Sequence, residues 1–386
     1  MNLFFITGVM MAKKTIIEGS TKLNVSEERT LSKKDPVFYN PVMEINRDIS
    51  ISTIQAFLDN FKRDEFKICD ALGGSGARGL RYAKELDFKG ILDISIGDIN
   101  PNAIRAIHEN IKINEFNDNV KLSVHHKDAN ILLSENYREF NVSDLDPFGS
   151  PAPYMDSGIR STLTKGGIVC MTATDTAVLC GAYHKSCIRR YNSVPIRGDK
   201  EYAVRILIAS AILNAAKYDI GLRPLFSHCT DHYVRTFMIT ERGAGKAEKA
   251  MENLGYVKRQ YEDITVKNYF DGFERGFGGP FYLGKLNDYD LVKNTYKIAK
   301  DRNYSHRAVE ILNTLKKESE FEMVGSYNIH EICSFIKKLV PPMDVIIQDL
   351  TDKGFKVSRV HYTPYALKSD AKLSDIIVSI SENSSI

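Results

Sequence analysis

Short apolar runs alternate with amphipathic stretches between residues 67 and 240 of the chain. Apolar runs of four to eight residues bounded by glycine or polar residues are typical of buried strands, whereas apolar positions three and four residues apart indicate helices. The patterns predict strands at 67–72, 91–96, 120–125, 139–145, 167–172 and 232–240, and helices at 77–86, 101–114 and 202–218. Because strands alternate with helices, we expect a doubly wound α/β domain, a parallel sheet with helices on both faces.

The segments on either side of this region have a different pattern. Residues 16–38 are polar and strand-like, and they precede a predicted helix at 48–61. Beyond Thr240 the pattern predicts a helix at 245–254, a glycine- and aromatic-rich stretch at 263–284, helices at 290–302, 305–317, 328–339 and 343–353, and a strand at 356–362. Helix, turn, helix and strand in this order indicate a winged-helix-like part. We therefore predict two domains, residues 1–242 with an N-terminal extension at 1–66, and a smaller α+β domain at 243–386.

The composition is that of a globular protein, with 43% hydrophobic and 26% charged residues. The 52 basic and 49 acidic residues give a net charge of only +3, so a nucleic acid would have to bind a locally basic face. The six cysteines form no C-x-x-C pair, which favours a reducing compartment over a zinc ribbon or a redox dithiol. No apolar run approaches the ~20 residues that span a bilayer, so we expect a soluble chain.

A glycine-rich loop follows the first predicted strand of the α/β region, in Asp70-Ala71-Leu72-Gly73-Gly74-Ser75-Gly76-Ala77-Arg78-Gly79. Glycine lets the backbone pass close under a ligand, and the N-terminus of the next helix favours a negative group. The loop therefore predicts a cofactor site at Asp70, Gly73 and Gly76, although a dinucleotide loop or a plain tight turn remains possible. The spacing fits G-x-G-x-x-G poorly, which disfavours a nicotinamide-dependent oxidoreductase.

Two acids follow the next strands. Asp98 ends the second strand, where a carboxylate could accept hydrogen bonds from both hydroxyls of an adenosine ribose. Asp128, followed by Ala129, comes after the third strand and could accept a hydrogen bond from the adenine amine. Either acid alone could equally be a helix cap. Together, at one edge of the sheet, they suit an adenosyl cofactor.

The fourth strand ends in Asp144-Leu145-Asp146-Pro147-Phe148-Gly149-Ser150-Pro151. The exocyclic amine of a base is a poor nucleophile, so a catalyst must accept hydrogen bonds from it and later take its proton. Asp146 before a rigid proline supplies acceptors in fixed geometry, and Phe148 can stack on the flat base. The alternative is a turn with a buried phenylalanine. The motif predicts methylation of a base amine.

At this point the chain resembles the tRNA (guanine-26) N2-dimethyltransferase family from about residue 18 to 372. The resemblance rests on these segments: Val37-Phe38-Tyr39-Asn40-Pro41, Asn46-Arg47-Asp48, Ser75-Gly76-Ala77-Arg78-Gly79-Leu80-Arg81, Asp146-Pro147-Phe148-Gly149-Ser150-Pro151, Thr172-Ala173-Thr174-Asp175, Phe226-Ser227-His228, Asp231-His232-Tyr233-Val234-Arg235, Tyr327-Asn328-Ile329-His330-Glu331-Ile332-Cys333 and Ser358-Arg359-Val360-His361-Tyr362. It implies a Rossmann-like class I methyltransferase domain and a C-terminal domain that helps to hold tRNA. It also implies two methyl transfers from S-adenosylmethionine to the N2 of one guanine, with S-adenosylhomocysteine as product.

The resemblance assigns roles to individual residues. Asp146 would engage the N2 amine, and Phe38 and Phe148 would sandwich the guanine. The residues implied to line the S-adenosylmethionine pocket are Arg47, Arg78, Asp98, Asp128 and Ala129. Arg81, one helical turn after Arg78, could reach the cofactor carboxylate instead. A cytoplasmic enzyme without an obligate protein partner is expected.

The chain departs from the family at one place. Many members carry two cysteine pairs that form a zinc site early in the C-terminal domain, but residues 256–279 contain no cysteine. We therefore predict that no structural zinc is bound. Packing of the aromatic and glycine residues at 269–282 would replace it.

Several readings remain open. A DNA amine methyltransferase shares the acid-Pro-aromatic chemistry, and a non-catalytic RNA-binding protein could retain the fold. Asp175, after the fifth strand, could line the base pocket or cap a helix. A basic and aromatic cluster could contact RNA or be a solvated surface, and its members are Tyr183, His184, Lys185, Arg189, Arg190 and Arg197.

Overall fold

The computed structural model describes residues 13–26, 37, 39–197, 199–260 and 263–384. Its strands are β1 (Lys13–Glu18), β2 (Thr21–Ser26), β3 (Glu65–Asp70), β4 (Ile91–Asp98), β5 (Val120–His126), β6 (Val142–Leu145), β7 (Lys165–Ala173), β8 (Ile220–Thr230), β9 (Tyr233–Arg242), β10 (Leu254–Gln260), β11 (Asp263–Asn268), β12 (Gly278–Tyr282), β13 (Tyr327–Asn328), β14 (Val357–Val360) and β15 (Thr363–Ser369). Its α-helices are α1 (Glu44–Leu58), α2 (Ala77–Glu85), α3 (Pro101–Lys112), α4 (Ala129–Glu135), α5 (Met155–Ser161), α6 (Thr176–Leu179), α7 (His184–Tyr191), α8 (Glu201–Ala216), α9 (Ala244–Glu252), α10 (Tyr289–Asp301), α11 (His306–Glu318), α12 (Ile329–Ile336), α13 (Met343–Asp352) and α14 (Leu373–Asn383).

A seven-stranded sheet in the order β5-β4-β3-β6-β7-β9-β8 forms the centre of the protein. Strands β3 to β7 are parallel, and β9 runs antiparallel to both β7 and β8. A parallel sheet covered on both faces buries every side chain of its central strands. Accordingly, Ile68, Ile94 and Val142, which stand in register, are fully buried. The doubly wound, Rossmann-like fold predicted from the sequence is confirmed.

The predicted elements of this domain lie within about three residues of those observed, except where the sequence pattern is weak. Strand β8 is not predicted, because Pro224 and the polar residues His228 and Thr230 interrupt its apolar run. It nevertheless pairs with β9 along almost its whole length as a hairpin. Helices α4 to α7 have at most eight residues, too few for a helical period to stand out.

The N-terminal hairpin of β1 and β2 packs beside α2 and α3, and Leu23 lies in the core that these helices share with the sheet. Helix α1 is buried on nearly all sides, because it packs against α2 on one side and against α10 and α11 on the other. The extension before the sheet is therefore part of the main body.

The C-terminal part contains two small antiparallel sheets. The first has the order β11-β10-β12, and β12 packs against α8. The second has the order β13-β15-β14 and belongs to the succession α11, β13, α12, α13, β14 and β15. This is the order of a winged helix, and its small core is formed by Ile332, Ile346, Leu350 and Leu367. The predicted winged-helix-like part is confirmed.

Buried contacts join the two predicted domains. Strand β9 ends at Arg242, where the sequence predicts the boundary. However, Arg205 on α8 donates a hydrogen bond of 2.7 Å to the carbonyl of Tyr282, and Glu201 forms an ion pair of 2.5 Å with Lys368. The division at this boundary stays a prediction. Among the described residues, no helix is both long and apolar enough to cross a membrane.

Candidate active site

A cleft of about 400 Å³ opens at the carboxyl ends of β3, β4 and β6. In open α/β sheets ligands bind where neighbouring strands connect in opposite directions, which here is the position between β3 and β6. The residues that line the cleft are Tyr39, Asn40, Met43, Arg47, Asp70, Leu72, Gly73, Gly74, Ser75, Ala77, Arg78, Asp98, Asp146, Pro147, Phe148, Tyr154 and Thr174. Seven predicted site residues therefore meet here, together with the backbone of the glycine loop.

The glycine loop is drawn tightly onto β4. The amide of Gly74 donates to Asp98 Oδ2 at 2.8 Å, and the amide of Gly73 donates to the carbonyl of Gly97 at 2.7 Å. A Cβ on Gly73 would lie 2.5 Å from Ile96 Cγ2, so only glycine fits there. Gly76 begins α2 with φ of 81°, a conformation that other residues rarely adopt. Asp98 Oδ1 also accepts a hydrogen bond of 2.8 Å from the amide of Asn100, so two backbone amides hold this carboxylate at the cleft beside the loop.

Asp128 and Ala129 lie outside the residues that line the cleft. Asp128 caps α4, because its Oδ1 accepts a hydrogen bond of 2.9 Å from the amide of Asn130. Helix capping is one of the two roles that the sequence allows for Asp128, the other being adenine binding. It uses only one of the two carboxylate oxygens. The role of both residues in adenine binding stays a prediction.

Asp146 lines the cleft and is paired with Arg78. The guanidinium of Arg78 contacts Asp146 Oδ2 and donates to Asn46 Oδ1 at 2.7 Å and to Ser50 Oγ at 3.0 Å. The Arg78 side chain is buried, whereas 18% of the Asp146 side chain is exposed. Arg78 is thus held from below by α1, and Asp146 stays accessible from the cleft.

Asp144, two residues before Asp146, is a buried ion whose role was not predicted from the sequence. Arg235 on β9 donates two hydrogen bonds of 2.7 Å to it, and Tyr82 donates a third of 2.7 Å. Burial opposes ionisation, but Arg235 and Arg78 outweigh it and hold the pKa of Asp144 below its usual value. The sequence shows that Asp144 and Arg235 are charged, but it does not show that they pair, because the pairing depends on the order of the strands in the sheet.

Asp70, at the end of β3, carries the opposite shift. Burial and the nearby charge of Asp144 raise its pKa to about 7, even though its Oδ2 accepts a hydrogen bond of 3.0 Å from the amide of Gly79. Raised carboxyl pKa values of this size are frequent at functional sites.

A second buried network fixes Arg47. Its guanidinium is bonded to Glu18 on β1 and donates to the carbonyl of Asn40 at 3.1 Å, while Tyr39 covers one face. Burial alone would raise the pKa of Glu18, but Arg47 and Arg81 lower it to about 2. Glu18 was not predicted, because no motif marks it.

Arg81 does not line the cleft. Its fully buried guanidinium is bonded to Glu18 at 2.9 Å, Asp48 at 2.8 Å and Glu85 at 2.9 Å. Of the two arginines that the sequence leaves as alternatives on α2, Arg78 is therefore the one at the cleft.

The aromatic residues of the site lie at its mouth. Phe148 lines the cleft with 46% of its surface exposed, and Tyr154 lies near it. Phe38 lies outside the described residues, so its predicted contact with guanine stays a prediction. Thr174 supports the loop of Phe148, because the amide of Gly149 donates to Thr174 Oγ1 at 2.8 Å.

Comparison with known proteins identifies the chain. Residues 19–381 match the model of a family described as N2,N2-dimethylguanosine tRNA methyltransferase. The chain belongs to this family. As a member it is an enzyme that methylates guanosine N2 in tRNA, which decides against the DNA methyltransferase and the non-catalytic alternatives.

Individual members of the family are similar over almost their whole length. A tRNA (guanine(26)-N(2))-dimethyltransferase of Methanococcus maripaludis strain C7 is 64% identical over 369 residues, which are 96% of this chain and 98% of the relative. The enzyme of the same name from Methanocaldococcus jannaschii is 48% identical over 366 residues, 94% of this chain and 97% of the relative.

A solved structure supports the same assignment. Trm1 from Pyrococcus horikoshii, in complex with S-adenosyl-L-methionine, has a TM-score of 0.86 and 30% identity, and the match covers 95% of this chain and 99% of that chain. The predicted fold, family and cofactor class are confirmed.

The stretch where many family members are expected to hold zinc contains aromatic residues here. Within the described parts of the chain, no group of three or more His, Cys, Asp or Glu side chains could hold a metal ion. The rings of Tyr256 and Tyr269 are stacked at 6.0 Å, and Phe273 meets Tyr256 edge-on at 5.6 Å. Ring packing thus occupies this stretch.

Proposed function

We propose that the chain transfers two methyl groups from S-adenosylmethionine to the N2 of guanine 26 in tRNA. The products are N2,N2-dimethylguanosine and S-adenosylhomocysteine. The observation that carries this proposal is the position of Asp146, an accessible carboxylate between the glycine loop and the exposed ring of Phe148. The names of the M. maripaludis and M. jannaschii relatives support the choice of guanine 26.

The chain's own residues suit each part of the cofactor. Gly73 and Gly76 let the backbone approach, and Asp98 is placed to accept hydrogen bonds from the ribose hydroxyls. Arg47 and Arg78 line the cleft beside this loop and would face the cofactor carboxylate. Asp128 and Ala129 would lie by the adenine. The cofactor supplies a methyl group on a positively charged sulfur, ready for attack by a nucleophile.

Asp146 prepares the nucleophile. Its carboxylate accepts hydrogen bonds from the N2 amine, which returns electron density from the purine ring to the nitrogen. As the bond between N2 and the methyl carbon forms and the bond between sulfur and carbon breaks, N2 gives up a proton to Asp146. Pro147 restricts the backbone conformation directly after Asp146, so the direction of the Asp146 carboxylate is fixed before the base arrives.

Phe148 holds the base flat against the carboxylate. Stacking on an exposed ring is worth about 1–3 kcal/mol per base and does not depend on hydrogen-bond pattern. Phe38 is expected on the other face of the guanine. A slot of this kind admits a base only after it has left its stack, as in other enzymes that act on bases.

Arg78 has two roles in this proposal. It neutralises Asp146 while the cleft is open, and Asn46 and Ser50 hold it in place. Because the guanidinium has five N–H donors, it can keep this contact and still donate to a ligand carboxylate. We infer that the enzyme acts in the cytoplasm, with tRNA as its macromolecular substrate and no obligate protein partner.

Replacing Asp146 with asparagine tests the assignment. Asp146→Asn keeps the shape and the contact with Arg78 but cannot take the proton, so methyl transfer should fall at least ~100-fold with little change in cofactor affinity. Mass spectrometry of nucleosides from treated tRNA and calorimetry with S-adenosylmethionine measure the two effects. The exposed Asp118→Asn serves as control. A wild-type rate in Asp146→Asn would refute the role.

A further inference from the structure

A second cavity, separate from the cleft, lies between the C-terminal end of α7 and the sheet of β10, β11 and β12. Its volume is about 200 Å³. The residues that line it are Ile188, Asn192, Ser193, Val194, Tyr256, Tyr269, Phe273, Gly279 and Pro280. Pockets for drug-sized ligands usually exceed 300 Å³, so this one suits a smaller, single-ring or double-ring group.

Aromatic rings form one wall of this α7 pocket. Tyr256 and Tyr269 are nearly parallel, with an angle of 25° between their planes, and Phe273 stands edge-on to Tyr256 at 76°. Phe273 is 55% exposed, and Ile188, which also lines the pocket, is 41% exposed. Flat, partly exposed aromatic surfaces of this kind are the usual platforms for unstacked bases.

The base of the pocket is held by backbone hydrogen bonds. The amide of Val194 donates to the carbonyl of Gly279 at 2.8 Å, and the amide of Gly279 donates to the carbonyl of Val194 at 2.7 Å. In addition, Ser193 Oγ donates to the carbonyl of Pro280 at 3.0 Å. The segment after α7 is therefore fastened to β12, and the pocket is a preformed part of the fold.

Helix α7 connects the pocket with the loop of the active site. Ser150 Oγ, in the segment after Asp146, donates to the hydroxyl of Tyr191 at 2.7 Å, and this hydroxyl donates to Asp175 Oδ1 at 2.6 Å. Tyr191 is the last residue of α7, directly before Asn192 of the pocket. Asp175 occupies the N-cap position of α6, but its side chain makes no capping hydrogen bond there and anchors α7 instead. One bound tRNA could reach both sites.

Exposed positive charge on α7 favours a nucleic-acid ligand. Lys185 and Arg189 are exposed on this helix and carry this charge, whereas the exposed Arg190 is paired with Asp175 at 2.8 Å. On the opposite rim, Glu274 is paired with Lys267 at 3.1 Å, so its charge is compensated. Basic residues beside stacking surfaces supply the phosphate contacts that position a nucleic acid.

We propose that the α7 pocket binds one unstacked nucleobase of the tRNA substrate, outside the catalytic cleft. Phe273 and Tyr269 provide the stacking surface, Ile188 closes the other side, and Asn192 lies at the rim where it can donate to or accept from the base edge. The proposal rests on the proposed function for the identity of the RNA. It adds a second base contact that would hold tRNA while the target guanine occupies the cleft.

Binding of unmodified tRNA to the full chain tests the pocket. Phe273→Ala should raise the Kd for tRNA about fivefold or more, which is the loss of affinity expected for one stacked base. Phe273→Leu, which keeps the apolar packing but not the flat ring, should raise the Kd similarly. Val266→Ala is the control, because Val266 lies in the same small sheet, is 49% exposed and does not line the pocket. Zero-length ultraviolet crosslinking should attach a nucleotide within residues 264–277.

Equal tRNA Kd values for the Phe273 variants and for Val266→Ala would overturn the proposal. Methylation of the same tRNA separates the two claims. If the wild type forms dimethylguanosine while the Phe273 variants bind normally, the pocket assignment fails and the enzyme assignment stands. If tRNA binding depends on Phe273 but no methylguanosine forms, the enzyme assignment fails and the pocket stands.

Discussion

Five charged side chains lie together beneath the cleft, namely Asp70, Asp144, Asp146, Arg78 and Arg235. The two guanidinium groups balance the carboxylates of Asp144 and Asp146. Asp70 is the fifth member, and with its pKa raised to about 7 by burial and by Asp144 it changes charge near neutral pH. The cluster is therefore close to neutral in mild acid and carries an extra negative charge in mild base.

The raised pKa of Asp70 predicts a particular pH dependence of stability. Its folded pKa of about 7 is above the ordinary value of 3.8, so the stabilising effect is full below about pH 4 and is lost as the pH rises through 7. Asp70→Asn is always neutral and has no such loss. We expect the free energy of unfolding of the variant, relative to wild type, to increase between pH 4 and pH 8. Urea denaturation at several pH values measures it.

An exposed carboxylate provides the comparison. Asp301 lies on the surface at the end of α10, and Asp301→Asn controls for the replacement of a carboxylate by an amide as such. A constant difference between Asp70→Asn and wild type over this pH range would mean that Asp70 is ionised throughout.

Among the secondary-structure elements, the hairpin of β1 and β2 is joined to α1 and α2 through a buried carboxylate. Glu18 joins β1 to Arg47 on α1 and to Arg81 on α2, and Tyr39 donates a further hydrogen bond of 2.8 Å to it. Removal of this carboxylate is costly, because the buried charge of Arg47 loses its ion pair, whereas Arg81 keeps Asp48 and Glu85.

Glu18→Gln should therefore lower the free energy of unfolding by about 3 kcal/mol at pH 7. The pKa of Glu18 is held at about 2, below its ordinary value of 4.5, so this stabilisation is present above pH 4.5 and is lost as the pH falls towards 2. Glu109→Gln is the matched control, since its ion pair with Lys13 also involves β1 but is exposed, and it should cost at most about 1 kcal/mol. Equal losses in the two variants at pH 7 would contradict the argument.

The ion pairs of this hairpin could not be predicted from the sequence. The hydrophobic periodicity and the turn residues predict the strands of the central sheet and the helices that cover it. The glycine loop and Asp146 mark the catalytic edge of this sheet. All these signals are local in the sequence. Glu18 lies 63 residues from Arg81, and Asp144 lies 91 residues from Arg235. Such pairings follow from the tertiary packing, so the ionic support of the site appears only in the structure.

Charge is distributed unevenly over the whole molecule. The recognition position of the winged helix is taken by α13, which carries Asp344, Asp349 and Asp352 but no lysine or arginine. Asp344 and Asp349 are paired with Arg359 at 2.6 Å and with Lys353 at 2.8 Å, so α13 offers no net positive charge of its own to the phosphates that a recognition helix contacts. With a net charge of only +3, we expect tRNA binding to depend on local basic surfaces and not on the overall charge of the protein.

The two halves of the chain share buried polar contacts as well as apolar packing. Glu201 and Arg205 on α8 bind Lys368, the carbonyl of Tyr282 and the amide of Gly325, all of which come after Arg242. The core around α8 also includes Val257 and Phe281 from the C-terminal half. Separate unfolding of the halves would expose these groups, so we expect one cooperative unit.

A chain that ends at Arg242 tests this expectation. The truncation would leave Arg205 and Glu201 without their partners from the second half and would uncover α1 where α10 and α11 pack. Because the truncation breaks these contacts and exposes apolar surface of α1 and α8 that is buried in the full chain, residues 1–242 should lack a cooperative thermal transition and bind S-adenosylmethionine at least ~10-fold more weakly than the full chain. Near-ultraviolet circular dichroism and calorimetry measure both effects. A fragment that melts sharply and binds the cofactor as tightly as the full chain would instead establish two independent domains.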